Sequence, residues 1–203
     1  MSIEIKLSKK PIQYEKAMLF LNKRVQDIKN GDNKELIWIL EHPKTYTAGV
    51  SFKKNEIIDK KIKLIKTNRG GKITLHNPGQ KIVYFAINLN NRKKDIRKLI
   101  NAIEKSIIKF LKIFKIKAKK DKKNIGIWVK DKKIAAIGIR VSRWIAFHGF
   151  SINISNNLKE YLKIIPCGLD NTKITSIYLE KKLIPKNYEK DLANILIKNI
   201  NNI

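Results

Sequence analysis

The spacing of apolar residues divides the chain into recognisable elements. Ser2 to Leu7 alternates polar and apolar residues with the two-residue period of a strand. From Tyr14 onward, Ala17, Met18, Leu21, Val25 and Ile28 recur at helical spacing, and Gly31 supplies the stop. Leu36 to Leu40 is a short apolar run, read as a buried strand closed by Glu41-His42-Pro43. Ile62 to Thr67 alternates again and leads into Arg69-Gly70-Gly71, and Lys81 to Leu89 reads as a further strand. Asp95 is placed to cap a helix whose buried face is Ile96, Leu99, Ile100, Ile103, Ile107, Phe110, Leu111 and Phe114.

The second half predicts hairpins. Ile125 to Val129 and Lys133 to Val141 flank a polar turn at Lys130-Asp131-Lys132, and Trp144 to Ile154 follows as a long strand. A loop at Pro166-Cys167-Gly168 precedes a terminal helix over Tyr188 to Ile200. Strands dominate, two long helices stand out, and no regular βαβ alternation appears. The expected class is α+β with a mixed or antiparallel sheet. No repeat or low-complexity linker interrupts the 203 residues, so a single catalytic domain over 1–203 is expected.

Composition narrows the setting. At 43% hydrophobic the chain can build a full core. One cysteine argues against a disulfide framework and fits a reducing, cytoplasmic compartment. The first ten residues lack the apolar stretch of a signal peptide, and no run approaches the roughly 18 apolar residues of a membrane span. The net charge of +28 admits three partners: nucleic acid, an anionic membrane or an acidic protein. Yet only Arg24, Arg69, Arg92, Arg97, Arg140 and Arg143 offer the guanidinium fork that nucleic-acid sites exploit. Abundant isoleucine and asparagine point to compositional bias, so most of this charge is read as solvated surface that an acidic partner can use.

Chemistry-bearing residues fall in four clusters. Arg69 to Gln80 holds three glycines, a proline, an arginine and a histidine, and is read as a tightly turned loop between two strands. It lacks the Gly-Lys-Ser/Thr ending of a phosphate-binding loop. Lys133 opens a strand whose Ala135, Ala136 and Gly138 leave room for an apolar ligand; by residue type alone it is one more surface lysine. The third cluster is Phe147-His148-Gly149-Phe150-Ser151-Ile152-Asn153, where a histidine inside a strand is more often structural than catalytic. The fourth is Cys167. A lone thiol makes no internal disulfide and holds no zinc by itself, which leaves packing, an incidental surface thiol, or a nucleophile. His42, His76 and His148 are scattered without supporting carboxylates, so no metal site is assigned.

Taken in order, these clusters resemble the lipoyl(octanoyl) transferases. The resemblance rests on Glu41-His42-Pro43 with Thr45-Tyr46-Thr47-Ala48-Gly49, Arg69-Gly70-Gly71 with Thr74, His76 and Pro78-Gly79-Gln80, and Lys133 to Gly138. His148-Gly149 with Asn153, Pro166-Cys167-Gly168 and Thr175-Ser176 complete it, so it runs from about Tyr14 to Ser176 with no missing block. Two positions depart from the pattern: Leu75 stands where an aromatic residue is usual and Asn77 where a small one is usual, both expected beside the acyl site.

The resemblance implies the fold of biotin and lipoate ligase catalytic domains, a mixed sheet backed by helices plus a smaller sheet. It implies transfer of an octanoyl or lipoyl group from acyl carrier protein to a lysine of lipoyl domains, those of 2-oxoacid dehydrogenase complexes and of the glycine cleavage H protein. It calls for no cofactor and no metal, and for neither nucleic acid nor a membrane span. Carried onto this chain, Cys167 is the acyl-thioester nucleophile and Lys133 its acid/base partner. Arg69, Gly70, Gly71, Lys72, Ile73, Thr74, Leu75 and His76 would line the substrate site, with Ala136, Ile137, Gly138, Gly149, Phe150 and Ser151.

The chemistry suits these residues. A thiol with a pKa near ~8.5 is only a few per cent thiolate at neutral pH. An ammonium about 4 Å away contributes on the order of 4 kcal/mol, enough to lower that pKa by up to ~3 units. His148 or His76 as base is the second-ranked arrangement. An ATP-dependent lipoate or biotin ligase of the same fold would not need Cys167, and a basic nucleic-acid-binding module is the non-enzymatic alternative.

Overall fold

The computed structural model describes residues 2–32, 34–121, 124–166 and 173–203. Its strands are β1 (Ile3–Leu7), β2 (Glu35–Leu40), β3 (Thr45–Ala48), β4 (Leu64–Lys66), β5 (Ile73–His76), β6 (Gln80–Asn88), β7 (Lys119–Lys120), β8 (Ile127–Val129), β9 (Lys132–Ser142) and β10 (Ile145–Asn153). The helices are α1 (Tyr14–Asn30), α2 (Ile96–Ile113), α3 (Ile177–Lys181) and α4 (Glu189–Ile200). Seven strands form a sheet in the order β1-β2-β6-β10-β9-β8-β7, and β4-β3-β5 form a smaller one. The large sheet is antiparallel except for the parallel β1–β2 pair. The α+β class, the mixed sheet and the second small sheet are as expected.

Both faces of the central strands are covered, which is why β2 reads as an unbroken apolar run rather than an alternating one. Leu36, Trp38 and Leu40 pack with Ala17, Leu21 and Val25 of α1, together with Ile82, Tyr84 and Ala86 of β6. Ile37 and Ile39 point the other way, into the core built by Ile103, Ile107 and Phe110 of α2 and Leu192 and Leu196 of α4. The caps match the sequence: the Asp95 side chain accepts from the backbone N–H of Lys98, and Gly31 closes α1 at φ 85°.

One expectation is corrected. Ile73–His76 is a strand within the stretch read as a loop, pairing antiparallel with Thr45–Ala48. Both are only four residues long, too short to show a period among so many glycines and polar residues. Their apolar members Tyr46, Ile73 and Leu75 bury with Tyr161 and Ile164 under the small sheet.

The large sheet is pinned at its far end by an ion pair. Arg92 grips Glu35 through both guanidinium nitrogens, Nη2 lying 2.7 Å from Oε2, while Glu35 Oε1 also accepts from the Asn88 N–H at 2.7 Å. Both side chains are buried. Breaking such a pair from one side leaves an uncompensated charge, so Glu35→Leu should destabilise the fold by about 3–5 kcal/mol. Adding Arg92→Leu should restore at least half of that loss in urea denaturation, and no recovery in the double variant would refute the pairing account.

Candidate active site

The site forms where the small sheet meets β9 and β10. Along β10, Ile145 and Phe147 join the α1-side core while Ala146, Phe150 and Ile152 join the core under α2 and α4. Gly149, Ser151 and Asn153 continue the α1-side row beyond the helix, where they border cavities instead of apolar neighbours.

Two local irregularities aim the polar side chains. His148 should point to the α2 side by strand alternation, but it adopts φ 67° and its ring stacks beside that of Phe147 at 5.0 Å. On β9, the pairing steps from Ile127↔Ala135 to Trp128↔Lys133, leaving Ile134 as an extra residue. Such a bulge reverses the alternation. Ala135 and Ile137 pack toward the core, whereas Lys133 shares the face of Ala136 and borders a cavity. Lys133 is 7% exposed, not the solvated lysine that its residue type suggests. Its Nζ lies 5.5 Å from the centre of the Trp128 ring, and Gly126 leaves space for its stem, since a Cβ there would strike the Lys133 Cε.

Two cavities meet on this face. Their open mouths included, the larger is a cleft of about 520 Å³ and the smaller, about 280 Å³, is bordered by Lys133 and Pro166. Thr74, Ala136 and Ser151 border both. Of the residues expected at the substrate site, Arg69, Gly70, Gly71 and Lys72 form one rim of the cleft, with Thr74 and His76 beside them. Ala136, Ile137 and Gly138 of β9 and Gly149, Phe150 and Ser151 of β10 form its floor. Ile73 and Leu75 do not join them; they alternate to the opposite face of β5 and bury in the small-sheet core. Asn77 is likewise turned away, accepting from Asn156 and donating to the Asn157 carbonyl. The two positions that depart from the family pattern thus both lie off the cleft. Cys167 and Gly168 fall outside the described residues. Their flanks converge on Lys133: Pro166 borders the same cavity, the Lys133 N–H donates to the Lys173 carbonyl at 2.8 Å, and the Thr175 N–H donates to the Lys133 carbonyl at 3.0 Å.

A buried polar chain links the cleft to that segment. Gln80 Oε1 faces His76 Nδ1 at 2.8 Å, so Nδ1 carries the proton; Gln80 Nε2 donates to Asn153 Oδ1 and to the Tyr161 hydroxyl. Asn153 in turn donates to the Thr175 carbonyl at 3.0 Å. The histidines scattered in sequence are partly gathered here: the His42 and His76 rings lie 5.6 Å apart, with Tyr14 and Tyr84 beside them. Burial pushes the His76 pKa down to about 3, helped by His42, and the His148 pKa down to about 4, helped by Arg69 and Arg140.

The family model described as the lipoyl protein ligase A/B catalytic domain matches residues 13–191. An octanoyltransferase of Ehrlichia chaffeensis is 43% identical over 181 residues, covering 86% of this chain and 85% of that protein. One from the Wolbachia of Brugia malayi is 42% identical over 201 residues, covering 97% of each. The chain belongs to the octanoyltransferase family. The fold of this octanoyltransferase-family chain is shared with solved lipoate ligases at much lower identity. A putative lipoate protein ligase of T. acidophilum with bound lipoic acid has a TM-score of 0.73 at 13% identity, covering 100% of this chain and 86% of that one. Lipoate-protein ligase A bound with ATP gives 0.76 at 13%, covering 100% and 85%. No helix among the described residues is long and apolar enough to cross a membrane.

Sequence reasoning about this family member missed Tyr14, Ile82 and Tyr84 as cleft residues and Gly126 as the space for Lys133. The first three read as ordinary core positions, and only the glycine inside a predicted strand carried a signal.

The two buried rings make stability depend on pH. In the unfolded chain each takes up a proton below about pH 6.5, whereas in the folded protein each stays neutral to about 4 or 3. The unfolded state binds more protons in that window, so stability falls as pH drops below about 6.5. With both rings the slope should approach about 2.7 kcal/mol per pH unit near pH 5. His42, likewise lowered by burial, adds to it; denaturation midpoints measured from pH 7.5 to 5 should show this, and His148→Phe should remove one ring's share, up to about 1.4 kcal/mol per pH unit. An unchanged slope in that variant would rule out a neutral buried His148.

Proposed function

We propose that the chain moves an octanoyl group from an acyl carrier thioester to a lysine of a lipoyl domain, through a thioester on Cys167. The observation that carries this reading is the convergence of Pro166, Lys173 and Thr175 on a buried Lys133, beside a cleft floored by small and apolar residues. Membership of the octanoyltransferase family supports the reaction.

The steps balance. The Cys167 thiolate attacks the carrier thioester carbonyl, and the carbonyl–sulfur bond to the carrier breaks as the new one to Sγ forms. The departing carrier thiolate takes a proton from the Lys133 ammonium. The target lysine amine then attacks the acyl-cysteine, passes a proton to the neutral Lys133, and expels the Cys167 thiolate. Thioester exchange is near neutral and amide formation is downhill, so no nucleotide is needed to drive transfer. Burying an eight-carbon tail contributes at most ~6 kcal/mol, at about 0.8 per methylene.

The histidine alternative loses ground on the same geometry. His76 is held near pKa 3 with its Nδ1–H committed to Gln80, and His148 near 4, so neither is a useful base at neutral pH. The reading includes one catalytic domain over the whole chain, a cytoplasmic setting, and as acceptors the lipoyl domains of 2-oxoacid dehydrogenases and the glycine cleavage H protein.

Incubation with octanoyl-carrier protein should add one octanoyl mass to Cys167 in intact and peptide mass spectra. Cys167→Ser should lose the adduct and at least 10³-fold in transfer rate, on the scale of a lost covalent nucleophile. Undiminished transfer by that variant with ATP and free octanoate would select a ligase instead. Lys133→Ala should shift the pH profile of thiol alkylation upward by about 1 to 3 units. A superimposable profile would remove Lys133 from the mechanism.

A further inference from the structure

The acyl cleft has a neighbour. On the far side from Lys133, an open groove of about 1030 Å³ runs between the exposed face of α1 and the segment Ile65–Asn68, lined by Met18, Leu19 and Ile65 among others. Among the described residues, Tyr14 and His148 alone border both cleft and groove, and neither borders the Lys133 cavity. These two rings are therefore the partition between the end of the cleft and an apolar surface channel. Both are buried and held. Tyr14 lies parallel to His76 at 6.2 Å and 5.3 Å from His42, and His148 Nε2–H donates to Asn68 Oδ1 at 2.7 Å.

The spacing matches the proposed substrate. Ser151 borders both the Lys133 cavity and the cleft, and His148 lies three residues along β10, a rise of about 10 Å. An extended octanoyl chain has seven carbon–carbon bonds of about 1.5 Å in a zigzag, spanning roughly 9 Å. A tail entering at Ser151 reaches the partition at about its eighth carbon. Further methylenes meet an aromatic wall although an apolar groove lies directly behind it.

We propose that Tyr14, backed by His148, sets the acyl chain length by closing the cleft off from this groove. The inference rests on the acyltransferase reading above and deepens it. Opening the wall lets a longer tail run on over Met18, Leu19 and Ile65, where each added methylene is worth about fourfold in binding (about 0.8 kcal/mol).

The test compares carrier thioesters of octanoate, dodecanoate and tetradecanoate, read by intact mass of the acyl-enzyme and by kcat/KM. In the unaltered protein, loading should drop sharply beyond about eight to ten carbons. In Tyr14→Ala the dodecanoyl-to-octanoyl ratio should rise tenfold or more. Tyr14→Phe, which keeps the ring, should hold the original ratio, and adding Met18→Trp to Tyr14→Ala should reverse the gain by refilling the groove. Equal loading of octanoyl and tetradecanoyl by the unaltered protein overturns the partition even if the variants do not fold. So does a ratio within about twofold of the original in folded Tyr14→Ala. Absence of any adduct at any length sinks the acyltransferase reading and this inference with it.

Discussion

The site depends on a backbone-to-backbone approach that only glycine permits. The loop after β4 lies directly on β9: a Cβ at Gly70 would sit 2.8 Å from the Ile139 carbonyl oxygen, and one at Gly138 would sit 3.0 Å from that of Gly70. A side chain at Gly70 must therefore shift the loop, and one at Gly138 presses it by a few tenths of an ångström. The contact seats the small sheet against the large one and sets the height of the cleft. Arg69 is held in the same layer, its guanidinium donating to the Thr47 carbonyl and hydroxyl of β3. The arginine ties the loop to the small sheet while the glycines press it on the large one.

The electrostatics of the cleft follow from that layering. Arg69 and Arg140 lower the proton affinity of buried rings that desolvation has already weakened. The histidines become neutral, hydrogen-bonded wall, and Lys133 is the lysine among the described residues that borders the cavity with Pro166. A buried polar chain from His76 through Gln80 and Asn153 to Thr175 is satisfied at each link. Such chains are costly when incomplete. This one couples the position of the small sheet to the end of the segment that follows Pro166, so displacing either strains the other.

The architecture also separates two demands on the substrate. In the proposed reaction, the end that reacts needs a charged group and a thiol, and the tail needs an apolar slot of limited depth. Lys133 at a bulge near the start of β9, with Tyr14 and His148 about half a strand away, would meet both with one pair of strands. The surplus lysine charge lies mainly on exposed positions, outside the cleft.

Local chemistry sufficed for much of this. The periods of α1, α2 and α4, the buried run of β2, the Asp95 and Gly31 caps and the hairpin of β8 and β9 are all written in nearest-neighbour spacing, because each element buries a face defined by its own repeat. The order of short motifs sufficed for the family. What the sequence alone did not determine is where side chains point when the backbone breaks its period. Lys133 faces a cavity because Ile134 bulges, and His148 faces the cleft because its φ is positive, neither of which is set by residue type. Ile73 and Leu75 were expected at the site with their neighbours. Pairing with β3 made their segment a strand, and alternation sent them to the opposite face. Tyr14, a plain core residue by pattern, came to line the cleft only when α1 was laid across β6 and β10. Such assignments belong to long-range packing, which no local window of the chain contains.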